Sequence, residues 1–148
     1  MNEDYHDILA ALVAHKVRFL IVGAHALAVH GYPRSTVDID IWIDATEENA
    51  ARVWRALAEF GAPLDDLNVR QQDLTRHNVV IQFGLPPNRI DLLTGVSGLT
   101  FDQAWANRVE DSLEAVPVPV LGLADLIENK RATGRHKDLA DVRGVEGK

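Results

Sequence analysis

Residues 35–44 read Ser-Thr-Val-Asp-Ile-Asp-Ile-Trp-Ile-Asp, "STVDIDIWID", and the alternation from Val37 to Ile43 predicts a β-strand. Side chains two apart on a strand share a face, so Asp38 and Asp40 project together, about 6–7 Å apart. Ile39, Ile41 and Ile43 face the other way. Neighbouring carboxylates repel unless something positive stands between them. A hard divalent cation can fill that role, and Mg²⁺ is held by one or two carboxylates plus substrate phosphates. The same alternation also describes a half-buried strand with a simply acidic outer face. Asp44 has the parity of the pair, but it ends the strand and opens Asp44-Ala-Thr-Glu47, which reads as a capping box and is assigned to structure.

Upstream, Tyr5, Ile8, Leu9, Leu12 and Val13 recur at helical spacing and predict a first helix ending near Lys16. Arg18 to Val22 is an apolar, β-branched run bounded by Gly23 and reads as a buried strand. Ala24 to His30 reads as a short helix stopped at Gly31-Tyr-Pro33. Downstream, Ala50, Val53, Trp54, Leu57 and Phe60 define one face of a helix that Gly61 and Pro63 end. Leu64 to Arg76 has no clear period and reads as irregular. Val79–Phe83 and Arg89–Leu93 predict a hairpin around Gly84 to Asn88. Phe101 to Arg108 reads as a short helix. Val116-Pro-Val-Pro-Val-Leu121 reads as an edge strand or connector, since proline cannot donate to a ladder. Leu123–Thr133 and Arg135–Val142 read as helices separated by Gly134. This order predicts one α+β (mixed α/β) domain over residues 1–148, a small mixed sheet flanked by helices.

The 148 residues are enough to bury a core without staples, and the lack of cysteine excludes disulfides, thiolate zinc sites and a cysteine nucleophile. No basic leader runs into a long apolar segment, and no stretch nears the ~20 apolar residues of a membrane span. A soluble cytoplasmic protein is expected. The net charge of −7 argues against a domain that coats nucleic acid electrostatically. One basic island interrupts the acidity: Lys130, Arg131, Arg135, His136 and Lys137, with no acid among them. Without its four Lys/Arg the chain has 11 basic against 22 acidic residues, so the island reads as a local anion site. A solvated helix face, with Lys137 and Asp141 as an i, i+4 pair, is the plainer reading.

Asp91 adds a third acid inside an apolar strand, where an unpaired charge is costly. Three such aspartates converging could clamp two metal ions about 3.5–4 Å apart, the arrangement that supports in-line phosphoryl displacement. An ion pair with Arg89 or another arginine is the structural alternative for Asp91. Gly23, between a strand and a helix start, lets backbone approach a phosphate at the helix N-terminus. Arg34, Ser35 and Thr36 precede the acidic strand and suit either phosphate contact or an ordinary turn. Trp42, Trp54 and Trp105 are most simply packing residues, and His6, His15, His30 and His77 lack ligand spacing.

Together, Leu20-Ile-Val-Gly23, Asp38-Ile-Asp40 and Asp91 resemble the nucleotidyltransferase superfamily with the DNA polymerase β-like fold. The longer stretches "GAHALAVHGYPRSTVDIDIW", "PPNRIDLL" and "NKRATGRHKDLADV" resemble its small bacterial AbiEii and toxin–antitoxin members across nearly the whole chain. The resemblance implies that Asp38 and Asp40 bind two Mg²⁺ (or Mn²⁺) ions and that Asp91 completes the metal site and helps activate the acceptor hydroxyl. It also implies that Gly23 and its neighbour cradle the triphosphate, and that Lys130, Arg135 and Lys137 neutralise triphosphate or bind the acceptor. Arg34 and Ser35 join the expected nucleotide-binding set. The family's Ser or Gly after the glycine is here Ala24, which keeps a backbone N–H but has no hydroxyl; His25 is the residue placed to substitute.

The expected activity is NMP transfer from an NTP such as ATP to a hydroxyl on tRNA, protein or a small molecule, with an antitoxin as a further partner and no membrane. Two alternatives stand beside it: a catalytically weak nucleotide- or partner-binding member of the same fold, motivated by Ala24, and an antibiotic-type adenylyltransferase.

Overall fold

A computed structural model describes residues 2–32, 38–84 and 88–146, without the side chains of Lys137 and Glu146. Arg34 and Ser35 therefore lie outside the described residues, as does the side chain of Lys137. The elements are α1 (Glu3–Ala14), β1 (Phe19–Val22), α2 (Gly23–Val29), β2 (Asp38–Ile43), α3 (Glu47–Phe60), a 3₁₀ turn (Gln71–Thr75), β3 (Val80–Phe83), β4 (Arg89–Leu93), α4 (Phe101–Ala106), β5 (Val109–Leu113), β6 (Val116–Val120), α5 (Leu123–Thr133) and α6 (His136–Glu146). The described strands form one mixed sheet in the order β3-β4-β2-β1-β6-β5. β2 is central: antiparallel to β1 and parallel to β4, which pairs in turn with β3 as the expected hairpin. Among the described residues no helix is long and apolar enough to cross a membrane.

The alternation that predicted β2 is also its burial pattern. Ile39, Ile41 and Ile43 are fully buried on one face. On the other, Trp42 is buried because Phe101 of α4 meets it edge-on at 5.1 Å, whereas Asp38 and Asp40 farther along stay half-buried. One face thus changes from packed to open within two residues, and the site lies at that change.

Three local expectations are corrected. The helix after β2 is capped by Thr46, whose side chain accepts from Asn49 N at 3.2 Å, and not by a box opened at Asp44. Asp44 is instead buried beside Arg18 at 2.9 Å, and Asn49 ties the backbone of both together. Leu64 to Arg76, expected to be irregular, contains the 3₁₀ turn that buries Leu74. The Pro-Val-Pro strand β6 is interior, between β1 and β5. Leu121 N donates to Ile21 O at 3.0 Å, and strand alternation sends the nitrogens of Pro119 and Pro117 to that same side. Pairing with β1 is accordingly confined to Ile21 and Val120, while Val116, Val118 and Val120 keep their N–H groups for β5.

Candidate active site

Strand register brings the acids together. Asp40 lies beside Asp91 across the parallel β2–β4 pair, and Asp38 lies beside Arg89. On its other side Asp40 faces Val22, the residue before Gly23. Gly23 turns the chain from β1 into α2 at φ +69°, a conformation that side chains rarely adopt. A Cβ there would overlap Asp40 Oδ2 and lie 3.2 Å from its Cγ. The glycine is therefore what lets backbone and carboxylate approach.

Asp38, Asp40 and Asp91 line one cleft of about 710 Å³, together with Gly23 and Ala24. Val80, Leu93 and Val96 add an apolar stretch, and Asn129, Lys130 and Thr133 of α5 with Arg135 and residues of α6 add a polar one. Of the residues expected at the site, seven meet here: Gly23, Ala24, Asp38, Asp40, Asp91, Lys130 and Arg135. His25 is not among those lining the cleft. Its ring packs edge-on against Tyr5 at 5.8 Å, and Nε2 is buried without a hydrogen-bond partner among the described residues. Burial lowers its pKa, against a backbone hydrogen bond with Asp38 that favours the charged form.

Negative charge dominates the floor. Burial first, then the charge of Asp91 and a hydrogen bond with it, then Asp38, push the Asp40 carboxyl up to about 7; Lys130 pulls the other way. Nearby, the Tyr5 phenol donates to Arg89 O at 3.1 Å and is pushed up to about 12 by burial and then by Asp38, Asp40 and Asp91. Gln82, opposite Asp91 in the hairpin, donates from Nε2 to Asp91 Oδ1 at 2.9 Å. No group of three or more His, Cys, Asp or Glu side chains stands ready as a metal cage among the described residues. The aspartates share a cleft, and any cation there must take part of its coordination from elsewhere.

The basic island is less free than its sequence suggests. Lys130 is buried, with Nζ 3.2 Å from Asp138 and 3.1 Å from Asp141. Arg135 Nε and Thr133 Oγ1 each lie 2.6 Å from Asp138 Oδ2. Burial alone would raise the Asp138 pKa, but hydrogen bonds from Thr133, Arg135 and Lys130 hold it below the ordinary value. Asp138 and Asp141 were not read as site residues from sequence. Their i, i+3 spacing directly after the island was the available signal, but a solvated helix face shows the same spacing.

A mixed sheet with carboxylates on adjacent parallel strands, opening on a cleft beside a strand–glycine–helix turn, is a nucleotidyltransferase-like fold. In structure the chain is similar to that of a candidate nucleotidyltransferase from Thermotoga maritima, with a TM-score of 0.63 over 97% of this chain and 90% of that one. At 18% identity this is a likeness of fold. No family profile and no curated protein matches the chain.

Proposed function

We propose that the protein is a metal-dependent nucleotidyltransferase that moves a nucleoside monophosphate from an NTP to a hydroxyl and releases pyrophosphate. The observation that carries this reading is the Asp40–Asp91 pair, set side by side by register at the floor of a cleft and crowded enough to push Asp40 to about 7. Such a pair fits a divalent cation whose coordination is completed by phosphate oxygens. Asp38 and Asp40 would hold the ions, with Asp91 completing the site. Bound Mg²⁺ or Mn²⁺ would neutralise phosphate charge and lower the pKa of the acceptor hydroxyl.

The chain's own groups divide the remaining work. Gly23 lies against Asp40 and Ala24 lines the cleft beside it, where the triphosphate would rest; Lys130 and Arg135 face the same cleft. Asp91 receives the proton of the acceptor hydroxyl. The acceptor oxygen bonds to the α-phosphorus as its bond to the bridging oxygen breaks, and that electron pair leaves with pyrophosphate.

Incubation with each α-labelled NTP, Mg²⁺ or Mn²⁺ and fractionated cell extract tests this. Label should enter one acceptor fraction, and Asp40→Asn and Asp91→Asn should each reduce it roughly 100-fold or more while the circular dichroism spectrum is unchanged. Equal labelling by the variants and the wild type would sink the assignment. Label on tRNA or protein supports the AbiEii-type toxin–antitoxin setting that the sequence resemblance implies, and label on a small molecule supports an antibiotic-type enzyme.

A second reading, nucleotide binding without transfer, is favoured by Ala24 and by the ion pairs that engage Lys130 and Arg135. Tight NTP binding in calorimetry with no pyrophosphate released would establish it.

A further inference from the structure

We propose that Gln82 is a positioning residue: its side-chain amide holds Asp91 in the orientation in which that carboxylate serves the cleft. The proposal rests on the nucleotidyltransferase reading of the site. Gln82 is exposed on the edge strand β3, is not among the residues lining the cleft, and reaches Asp91 from the hairpin side with Nε2 2.9 Å from Oδ1. The amide turns its NH₂ group to the carboxylate, so that Gln82 donates and Asp91 Oδ1 accepts.

Asp91 is thus contacted from both sides, by Gln82 across β3–β4 and by Asp40 across β2–β4. The two contacts are not equivalent. Asp40 meets Asp91 through a second carboxyl group that itself faces the cleft, whereas the Gln82 amide lies outside the cleft and its NH₂ can only donate to a carboxylate oxygen. Among the described residues Gln82 is the one side-chain amide or cation hydrogen-bonded to Asp91. By engaging Oδ1 it restrains the carboxylate from the β3 side, opposite the side on which Asp40 lies. Outer groups that orient a metal-binding carboxylate in this way typically contribute 10–100-fold to metal affinity or activity.

Gln82→Met tests the proposal, because it keeps the length and packing surface of the side chain and removes only the amide; Gln82→Ala is the companion. The first readout is Mn²⁺ titration of the protein, with and without an α,β-methylene NTP analogue, following free Mn²⁺ by electron paramagnetic resonance. The second is the split between kcat and the KM for NTP, and the third is Tm. Both variants should bind Mn²⁺ about 10-fold more weakly and lose kcat by a similar factor, with KM and Tm unchanged. Mn²⁺ affinity and kcat equal to wild type would overturn the role of Gln82 and leave the nucleotidyltransferase reading standing. Loss of Tm in step with affinity would make Gln82 a structural residue and overturn it too. Failure of the wild type itself to bind Mn²⁺, with or without the analogue, would remove the nucleotidyltransferase reading and this proposal together.

Discussion

A side chain at position 23 would do two kinds of damage: it would be held at φ +69°, and it would collide with the carboxylate of Asp40. Burial is also the largest influence on the Asp40 carboxyl, and that has a consequence for stability. The Asp40 carboxyl has an ordinary value of 3.8 and is pushed up to about 7 in the fold, chiefly by burial and then by Asp91. Between those values the folded state holds a proton that the unfolded chain has lost, so stability falls as pH rises from about 4 to about 7 and levels off above. Asp40→Asn removes the titrating group. In chelator, its Tm should exceed that of wild type by a margin that grows across that window, and saturating Mg²⁺ at pH 8 should raise the wild type but not the variant. A margin that stays constant with pH would show that Asp40 is not the group responsible.

The elements show which parts of the fold local sequence can announce. The β3–β4 hairpin was legible because two alternating apolar runs flank a Gly/Pro/Asn-rich turn, and the helix Glu47–Phe60 because its apolar face ends at Gly61 in the left-handed conformation. The β5–β6 hairpin was not. Strand β5 is exposed along most of its length and offers no buried face to read. Its turn, Glu114-Ala115, takes positive φ at both residues (51° and 64°) without the Asn or Gly that normally marks such a turn. Glu114 is held there by its neighbours: its carboxylate accepts from Asn2 N at 2.8 Å, and its carbonyl oxygen lies 2.8 Å from His6 Nδ1. Among the described residues no side chain is hydrogen-bonded to Ala115. The left-handed conformation costs a non-glycine residue roughly 1–2 kcal/mol, against about 0.5–1 kcal/mol for the greater chain entropy of glycine. Ala115→Gly should therefore stabilise by about 0.5–1 kcal/mol, seen as a higher urea midpoint with unchanged slope. A lower midpoint would mean that the turn is not strained at this residue.

At the scale of the whole molecule, the cleft joins the sheet to the last two helices, and its two halves were unequally legible. Asp38 and Asp40 could be set on one face from the sequence because strand parity is a short-range rule, whereas the meeting of Asp91 with them depends on the long-range β2–β4 register and was expected from the family resemblance. On the side of α5 and α6, Lys130 and Arg135 were expected at the cleft but their acidic partners Asp138 and Asp141 were not, because whether a lysine meets solvent, a phosphate or a buried acid depends on how helices pack. Lys130 shows the difference: the molecule is acidic, and this cation from its basic island is turned inward between Asp138 and Asp141, which are also buried. Lys130→Met would leave two buried carboxylates with their shared cation gone, a loss of the kind that typically costs about 3–5 kcal/mol. Lower activity in that variant would then report on the fold before it reported on phosphate binding. Adding Asp138→Asn and Asp141→Asn to Lys130→Met removes the stranded charge, so the triple variant should regain most of the stability in urea denaturation. If Lys130→Met alone is as stable as wild type, the lysine is not structurally committed to the two acids, and its charge is available to the cleft after all.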